Sequence, residues 1–137
     1  MSGSVVVAGL GPGDPQQVTP EVQRALDNAT DILGYIPYVA RIAARPGLNL
    51  HPSDNREELH RARHALELAR QGRHAVIVSS GDPGVFAMAS ALFEALEAGD
   101  YDTNTDIRIL PGITAMLAAA ARAGAPLGHD FCAINLS

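Results

Sequence analysis

The stretch "HAVIVSSGDPG", His74 to Gly84, joins an apolar run to a turn-rich segment with two glycines and a proline. The β-branched run predicts a strand buried on both faces, as in a parallel sheet. A strand that ends this abruptly leaves bare backbone and one carboxylate, Asp82, beyond its last residue. The pattern therefore predicts a loop at the carboxyl edge of a sheet, where open α/β proteins bind ligands.

Two more glycine loops follow apolar runs in the same way. "GLGPGD", Gly9 to Asp14, follows "SVVVAG", and "PGIT", Pro111 to Thr114, follows a later strand candidate. Because the carboxyl ends of parallel strands meet at one edge of the sheet, the three loops should converge. We expect Gly11, Gly81 and Gly112 to line a common groove there.

Strand and helix patterns alternate along the whole chain. This alternation predicts an α/β fold with a mostly parallel sheet and helices on both faces. Ser53, Asp54 and Asn55 are capping residue types ahead of the longest helix, and Gly72 is its stop. The predicted strands are Ser4 to Gly9, Thr30 to Tyr35, Leu48 to His51, His74 to Val78, Ile107 to Leu110 and Phe131 to Leu136, and the predicted helices are Pro20 to Ala29, Pro37 to Ala44, Arg56 to Gln71, Met88 to Ala98 and Ile113 to Ala123.

Composition narrows the classes of function. The chain of 137 residues carries a net charge of −5, and all ten of its basic residues are arginine. An acidic chain is a poor nucleic-acid binder, since such proteins carry a basic surface that displaces counterions from phosphate. Without lysine, Schiff-base chemistry is excluded. No apolar run suits a membrane span and no secretory signal is visible, so we expect a cytoplasmic protein.

The first loop decides between ligand classes. "GLGPGD" departs from the dinucleotide fingerprint G-x-G-x-x-G because Pro12 removes an N–H donor and Asp14 brings an anion where a pyrophosphate would lie. A P-loop is also absent from the sequence. These features favour a nucleotide-like ligand without phosphate, such as S-adenosyl-L-methionine.

Other reactive side chains have plainer interpretations. His60 and His64 have the i, i+4 spacing of metal ligands, but charged neighbours surround them and no third ligand completes a motif, so a solvated helix face is favoured. Cys132 lies inside an apolar run, which predicts a buried, inert thiol. Tyr35 and Tyr38 can serve in packing alone.

Taken together, the loops "VAGLGPGD", "SSGDPGVFAMA" and "PGITA" resemble those of the tetrapyrrole (corrin and porphyrin) methylases. The stretches "GYIPY", "SDNREELHRARHALELA" and "GAPLGHDFCAINLS" are similar to the branch that methylates precorrin-3B at C17 in cobalamin biosynthesis. The resemblance runs over essentially the whole chain.

This resemblance implies a protein of two α/β domains with S-adenosyl-L-methionine in the cleft between them. Residues 1–137 would form the N-terminal domain, and the C-terminal domain would be absent from this chain. The resemblance also implies a small-molecule tetrapyrrole substrate and a homodimer. The cofactor contacts that it implies here are Pro12, Ser80, Gly81, Asp82, Val85, Thr114 and Ala115.

The implied reaction is displacement of a methyl group from a sulfonium, accompanied by ring contraction. Positioning supplies most of the catalysis in such a step, so we expect neither a triad nor a metal. Asp14, Tyr35 and Tyr38 are the candidates for lining the tetrapyrrole trough. Arg41, Arg45 or Arg56 can offset repulsion between this acidic chain and the substrate carboxylates. A methylase with another acceptor and a noncatalytic half-domain remain alternatives.

Overall fold

The computed structural model describes residues 3–85, 88–99, 101 and 104–136. In this part of the chain, strands and helices alternate as the sequence predicts. The strands are β1 (Ser4–Gly9), β2 (Asp31–Tyr35), β3 (Asn49–Ser53), β4 (His74–Ser79) and β5 (Asp106–Leu110), and the helices are α1 (Pro20–Asn28), α2 (Ile36–Val39), α3 (Glu58–Arg70), α4 (Ala89–Ala98) and α5 (Ala115–Arg122).

The five strands form one sheet in the order β3-β2-β4-β1-β5, and each neighbouring pair is parallel. Side chains of β1 alternate between the two faces of this sheet. Val5 and Val7 pack with α3 and α4, whereas Val6 and Ala8 pack with α1 and the region of α2. The predicted α/β class, with a parallel sheet and helices on both faces, is confirmed.

The predicted sixth strand is wrong. Residues 131–136 have no regular secondary structure, and Phe131, Ile134 and Leu136 are exposed. A strand needs a neighbour to pair its backbone, and an apolar run cannot reveal whether one is available. Cys132 lies in this segment and is exposed, so the buried thiol that we expected is also wrong.

All five helices are shorter than predicted, and for α2 and α3 residues at the predicted ends make other contacts. Helix α3 begins at Glu58 and has no side-chain cap: Ser53 is the last residue of β3, and its hydroxyl accepts a hydrogen bond from Arg61. Helix α2 is a single turn that ends at Val39. After this turn, Pro46 disfavours helical backbone at the preceding residue, Arg45. The guanidinium of Arg45 instead reaches the last carbonyls of α1.

Helix α5 forms near the predicted position, but none of its residues is buried, and Leu117 is half exposed. Its hydroxyl cap is Thr114, whose side chain accepts a hydrogen bond from the Leu117 amide. Across the described ranges, no helix combines the length and the apolar content that crossing a bilayer requires.

Candidate active site

The first two glycine loops pair with each other at the carboxyl edge of the sheet. The amide of Gly11 donates to the carbonyl of Gly81 at 3.1 Å, and the amide of Gly81 donates back at 2.9 Å. Both residues have positive φ, 73° for Gly11 and 59° for Gly81, a conformation that favours glycine. The loops after β1 and β4 are therefore one connected backbone unit.

The third loop packs on this unit as closely as backbone allows. A Cβ on Gly112 would overlap the carbonyl oxygen of Gly81, and a Cβ on Gly9 would overlap that same oxygen and the amide of Gly112. Only glycine fits at either position without displacing a neighbour. The prediction that the three loops converge on one edge is confirmed.

Asp82 ties the second loop to the third. One carboxylate oxygen accepts the amide of Gly112 at 2.9 Å, and the other accepts the amide of Gly84 at 2.8 Å. The carboxylate of Asp82 in the segment His74 to Gly84 thus connects two loops. Among the described residues each oxygen accepts one amide and has capacity for another, and Asp82 as a cofactor contact stays a prediction.

The remaining candidate residues separate into two clefts, one on each side of the paired glycines. Pro12, Asp14 and Ala115 line a cleft of about 720 Å³ between the first loop and α5. A cleft of about 230 Å³ near α3 and α4 is lined by Tyr35, Tyr38, Ser80 and Val85, among others. Gly11, Gly81 and Gly112 line neither of these clefts and lie at the junction between them, and a groove along these glycines stays a prediction.

The three trough candidates have visible structural roles. The rings of Tyr35 and Tyr38 meet edge to face with centroids 5.3 Å apart, and both side chains are partly exposed. The carboxylate of Asp14 accepts the amide of Gln16 at 2.9 Å and caps the short 3₁₀ helix Pro15–Gln17. These contacts fix the three side chains at the edge, and their substrate contacts stay predictions.

Two of the three arginines suggested for substrate recognition hold the backbone instead. Arg41 donates to the carbonyls of Leu10 and Gly11 at 2.8 and 3.3 Å and so stabilises the first loop. Arg45 donates to three carbonyls at the end of α1. Arg56 is exposed, and its backbone amide bonds to Asp54 at 3.4 Å.

Arg61 is the residue that the sequence interpretation missed. It lines the tyrosine cleft and is only 5% exposed. Burial lowers the pKa of its guanidinium, while the charges of Glu58 and Glu57 act in the opposite direction. The signal was present, because Arg61 stands at helical spacing from the buried Ala65 and Leu68.

The larger cleft has side chains of both charges, because Asp14 and Arg122 line it. Its volume of about 720 Å³ is in the range of small-molecule sites. Asp14 contributes an exposed carboxylate from the first loop, and Arg122 contributes an exposed guanidinium from the end of α5. Among the described residues, no three His, Cys, Asp or Glu side chains are grouped as metal ligands.

Comparison with known proteins agrees with this architecture. A precorrin-3B C(17)-methyltransferase from a Sinorhizobium species is 52% identical over 138 residues, which cover 100% of this chain and 54% of that protein. The crystal structure of a methyltransferase named CobJ superposes with a TM-score of 0.96 at 76% identity, over 99% of this chain and 57% of the other. The chain thus spans about half the length of these relatives.

A more distant structure carries a ligand. The uroporphyrin-III C-methyltransferase of Thermus thermophilus, solved with S-adenosylhomocysteine, has a TM-score of 0.67 and 26% identity, over 93% of this chain and 54% of that one. The sequence model of the Tetrapyrrole (Corrin/Porphyrin) Methylases matches residues 4–137. With its glycine loops joined at the carboxyl edge of a parallel sheet, this chain belongs to the tetrapyrrole methylases.

Proposed function

We propose that the protein transfers a methyl group from S-adenosyl-L-methionine to C17 of precorrin-3B, or of its cobalt-bearing counterpart, with ring contraction, in cobalamin biosynthesis. The observation that carries the proposal is the joined edge, where Gly9, Gly81 and Gly112 pack backbone to backbone. The 52% identity to a precorrin-3B C(17)-methyltransferase supports the choice of acceptor.

In this proposal the cofactor lies along the first loop and the start of α5. Pro12 and Ala115 line the cleft, and Thr114 caps α5 at its border. From the second loop, Gly81 and Asp82 contribute at the junction, and Ser80 and Val85 contribute from the border of the tyrosine cleft, so the cofactor extends across the paired glycines. When bound, the cofactor supplies a methyl group on a positively charged sulfur.

The residues of this chain then act mainly by positioning. The reciprocal bonds between Gly11 and Gly81, and the link from Asp82 to Gly112, hold the three loops in one arrangement before any ligand arrives. Holding donor and acceptor in attack geometry can lower a barrier by about 7–11 kcal/mol. Tyr35 and Tyr38 border the tetrapyrrole side, whereas Asp14, predicted from the sequence to line the same trough, lies in the cleft that this proposal gives to the cofactor.

The chain supplies one part of the site in this proposal. A C-terminal α/β domain would close the cofactor cleft, and the functional form would be a cytoplasmic homodimer. Two alternatives are equally compatible with the joined edge: a methylase of the same fold with another acceptor, and a half-domain that binds ligand without turnover. The following experiments distinguish them.

Calorimetry with S-adenosylhomocysteine tests the cofactor assignment, with ATP as the matched control. We expect S-adenosylhomocysteine to bind and ATP not to bind, because the first loop offers Pro12 and Asp14 where phosphates need N–H donors. A chain that binds ATP, or neither ligand at millimolar concentration, would contradict the assignment.

Turnover tests the acceptor. Precorrin-3B, cobalt-precorrin-3 and uroporphyrinogen III are each supplied with S-adenosyl-L-methionine, and the products are analysed by mass spectrometry. We expect one added methyl group on the first or the second acceptor only. Methylation of uroporphyrinogen III instead would favour another branch of the family, and ligand binding without any product would favour a noncatalytic half-domain.

A further inference from the structure

Arg61 is a buried cation with no anionic partner among the described residues. Its Nε donates to the Ser53 hydroxyl at 2.9 Å, one terminal nitrogen donates to the Asp54 carbonyl at 2.8 Å, and the other contacts the sulfur of Met88 at 3.7 Å. All three partners are uncharged atoms. Within the described ranges, no carboxylate forms an ion pair with Arg61.

This arrangement is energetically unusual. Removing a guanidinium from water is costly unless an opposite charge compensates, and buried charges are normally paired. Burial lowers the pKa of Arg61, and the charges of Glu58 and Glu57 offset only part of that effect. Only three of its five N–H groups have partners among the described residues, so the side chain has spare donors.

The spare donors belong to a side chain in the candidate site. Arg61 borders the same cleft as Tyr35, Tyr38 and Ser80. That cleft, at about 230 Å³, is too small for a whole macrocycle but can accept one side chain of a larger ligand. Tyr35 and Tyr38 form part of its lining, and the guanidinium provides a fork that matches a carboxylate.

We propose that Arg61 binds one carboxylate side chain of the tetrapyrrole and so fixes the orientation of the macrocycle at this edge. This inference rests on the function proposed above. It identifies a further cation for an acidic substrate besides Arg41 and Arg45, whose guanidinium groups are likewise bonded to backbone carbonyls.

Glu58 lines the same cleft and repels an anionic ligand. It is exposed and stands in the first turn of α3, where a carboxylate stabilises the helix terminus. Water screens an exposed charge more strongly than a buried one, so Arg61 dominates the local field. Removing the charge of Glu58 should therefore strengthen binding, the opposite of the effect expected at Arg61.

A purely structural role is the competing explanation, since Arg61 also connects β3, the following turn and the start of α4. The two roles differ in what they affect. If Arg61 has only a structural role, its replacement should lower the free energy of unfolding and weaken the binding of all ligands together. If it contacts a substrate carboxylate, its replacement should weaken binding of the tetrapyrrole and not of the cofactor.

The test measures binding of uroporphyrin III, a fluorescent porphyrin with eight carboxylates, and of S-adenosylhomocysteine to the same variants. R61Q should bind uroporphyrin about ten- to a hundredfold more weakly, the range for a lost charge-assisted hydrogen bond, with cofactor affinity unchanged. R61K should give a smaller loss, because lysine keeps the charge without the fork. R63Q is the charge-matched control, since Arg63 is exposed on the same helix, and it should match the unmodified chain.

Each result has a defined meaning. If R61Q and R63Q bind uroporphyrin alike, or if R61Q weakens both ligands equally, the inference is overturned. If R61Q does not fold, E58Q decides: tighter uroporphyrin binding supports the inference, and unchanged or weaker binding overturns it. If the unmodified chain binds neither ligand, the proposed function fails first.

Discussion

The amide of Gly112 donates to the carboxylate of Asp82 at 2.9 Å, and this hydrogen bond joins the loop after β5 to the loop after β4. The two strands are not neighbours, because β1 lies between them. The contact therefore spans the centre of the sheet edge. It adds a side-chain link to the backbone contacts that hold the three loops together.

Two substitutions of Asp82 should weaken the contact between the loops to different extents. D82A loses both amide bonds and should lower the free energy of unfolding by about 1–3 kcal/mol, whereas D82N keeps one acceptor and should lose less. Urea denaturation gives both values. D54N is the matched control, because Asp54 accepts a single exposed amide at 3.4 Å, and a loss as large as that of D82A there would contradict the argument.

A methyl group at Gly112 should separate the loops. Its Cβ would overlap the carbonyl of Gly81, so G112A should destabilise the fold by about 1–3 kcal/mol, as overpacking does. G84A is the control from the second loop, since a Cβ there meets only the Asp82 carboxylate, at 3.2 Å. Chemical denaturation of both variants checks this, and equal losses would show that the contact at Gly112 is not limiting.

The position of the site was predictable from the sequence because a parallel sheet places all carboxyl strand ends on one edge. Each loop could be located from a glycine-rich turn after an apolar run, without knowing which strands are neighbours. The order β3-β2-β4-β1-β5 could not be obtained this way, since it depends on long-range pairing that leaves no local pattern.

The errors have a common physical origin. Phe131 to Leu136 has strand-like composition, but composition does not create a neighbouring strand. From the sequence pattern alone, Ser53 is interpreted as a helix cap and Arg61 as a solvated charge. The structure instead joins them by a 2.9 Å hydrogen bond, because β3 ends beside the first turn of α3. Such tertiary contacts override local propensity.

The buried carboxylate of Asp31 should make the fold sensitive to acid. Burial acts to raise its pKa, but hydrogen bonds from Arg73 at 2.6 Å, His51 at 2.8 Å and Thr30 at 2.7 Å outweigh it, and the net shift is downward. As pH falls, the unfolded chain then takes up this proton before the folded chain does. The stabilisation is complete above the unfolded pKa of about 3.9 and is lost as pH falls through the lower folded pKa.

D31N should therefore be less stable at neutral pH and should lose less stability on acidification. Urea midpoints measured across the acid range give the slope. D27N is the control, since Asp27 is exposed and accepts a bond from Gln23 at 3.0 Å. A D31N slope as steep as that of the unmodified chain would assign the acid sensitivity to other carboxylates.

His64 should add a second, milder loss of stability on acidification, which begins at a higher pH than the loss caused by Asp31. Partial burial between α3, on which it stands, and β3 lowers its pKa, the charges of His51 and His60 lower it further, and Asp31 acts weakly in the opposite direction. Its ring packs edge to face on His51 with centroids 4.8 Å apart, which leaves little room for water around a charged ring.

The sign follows from linkage, because the unfolded chain protonates this histidine near its ordinary pKa of about 6.5 while the folded chain still excludes the proton. Stability is thus complete above that value and falls as pH drops through it towards the lower folded pKa. H64Q should flatten this limb, whereas H60Q should retain it, because His60 is exposed on the same helix. If both variants, followed by urea denaturation between neutral and mildly acidic pH, keep the slope of the unmodified chain, the buried ring of His64 is not its source.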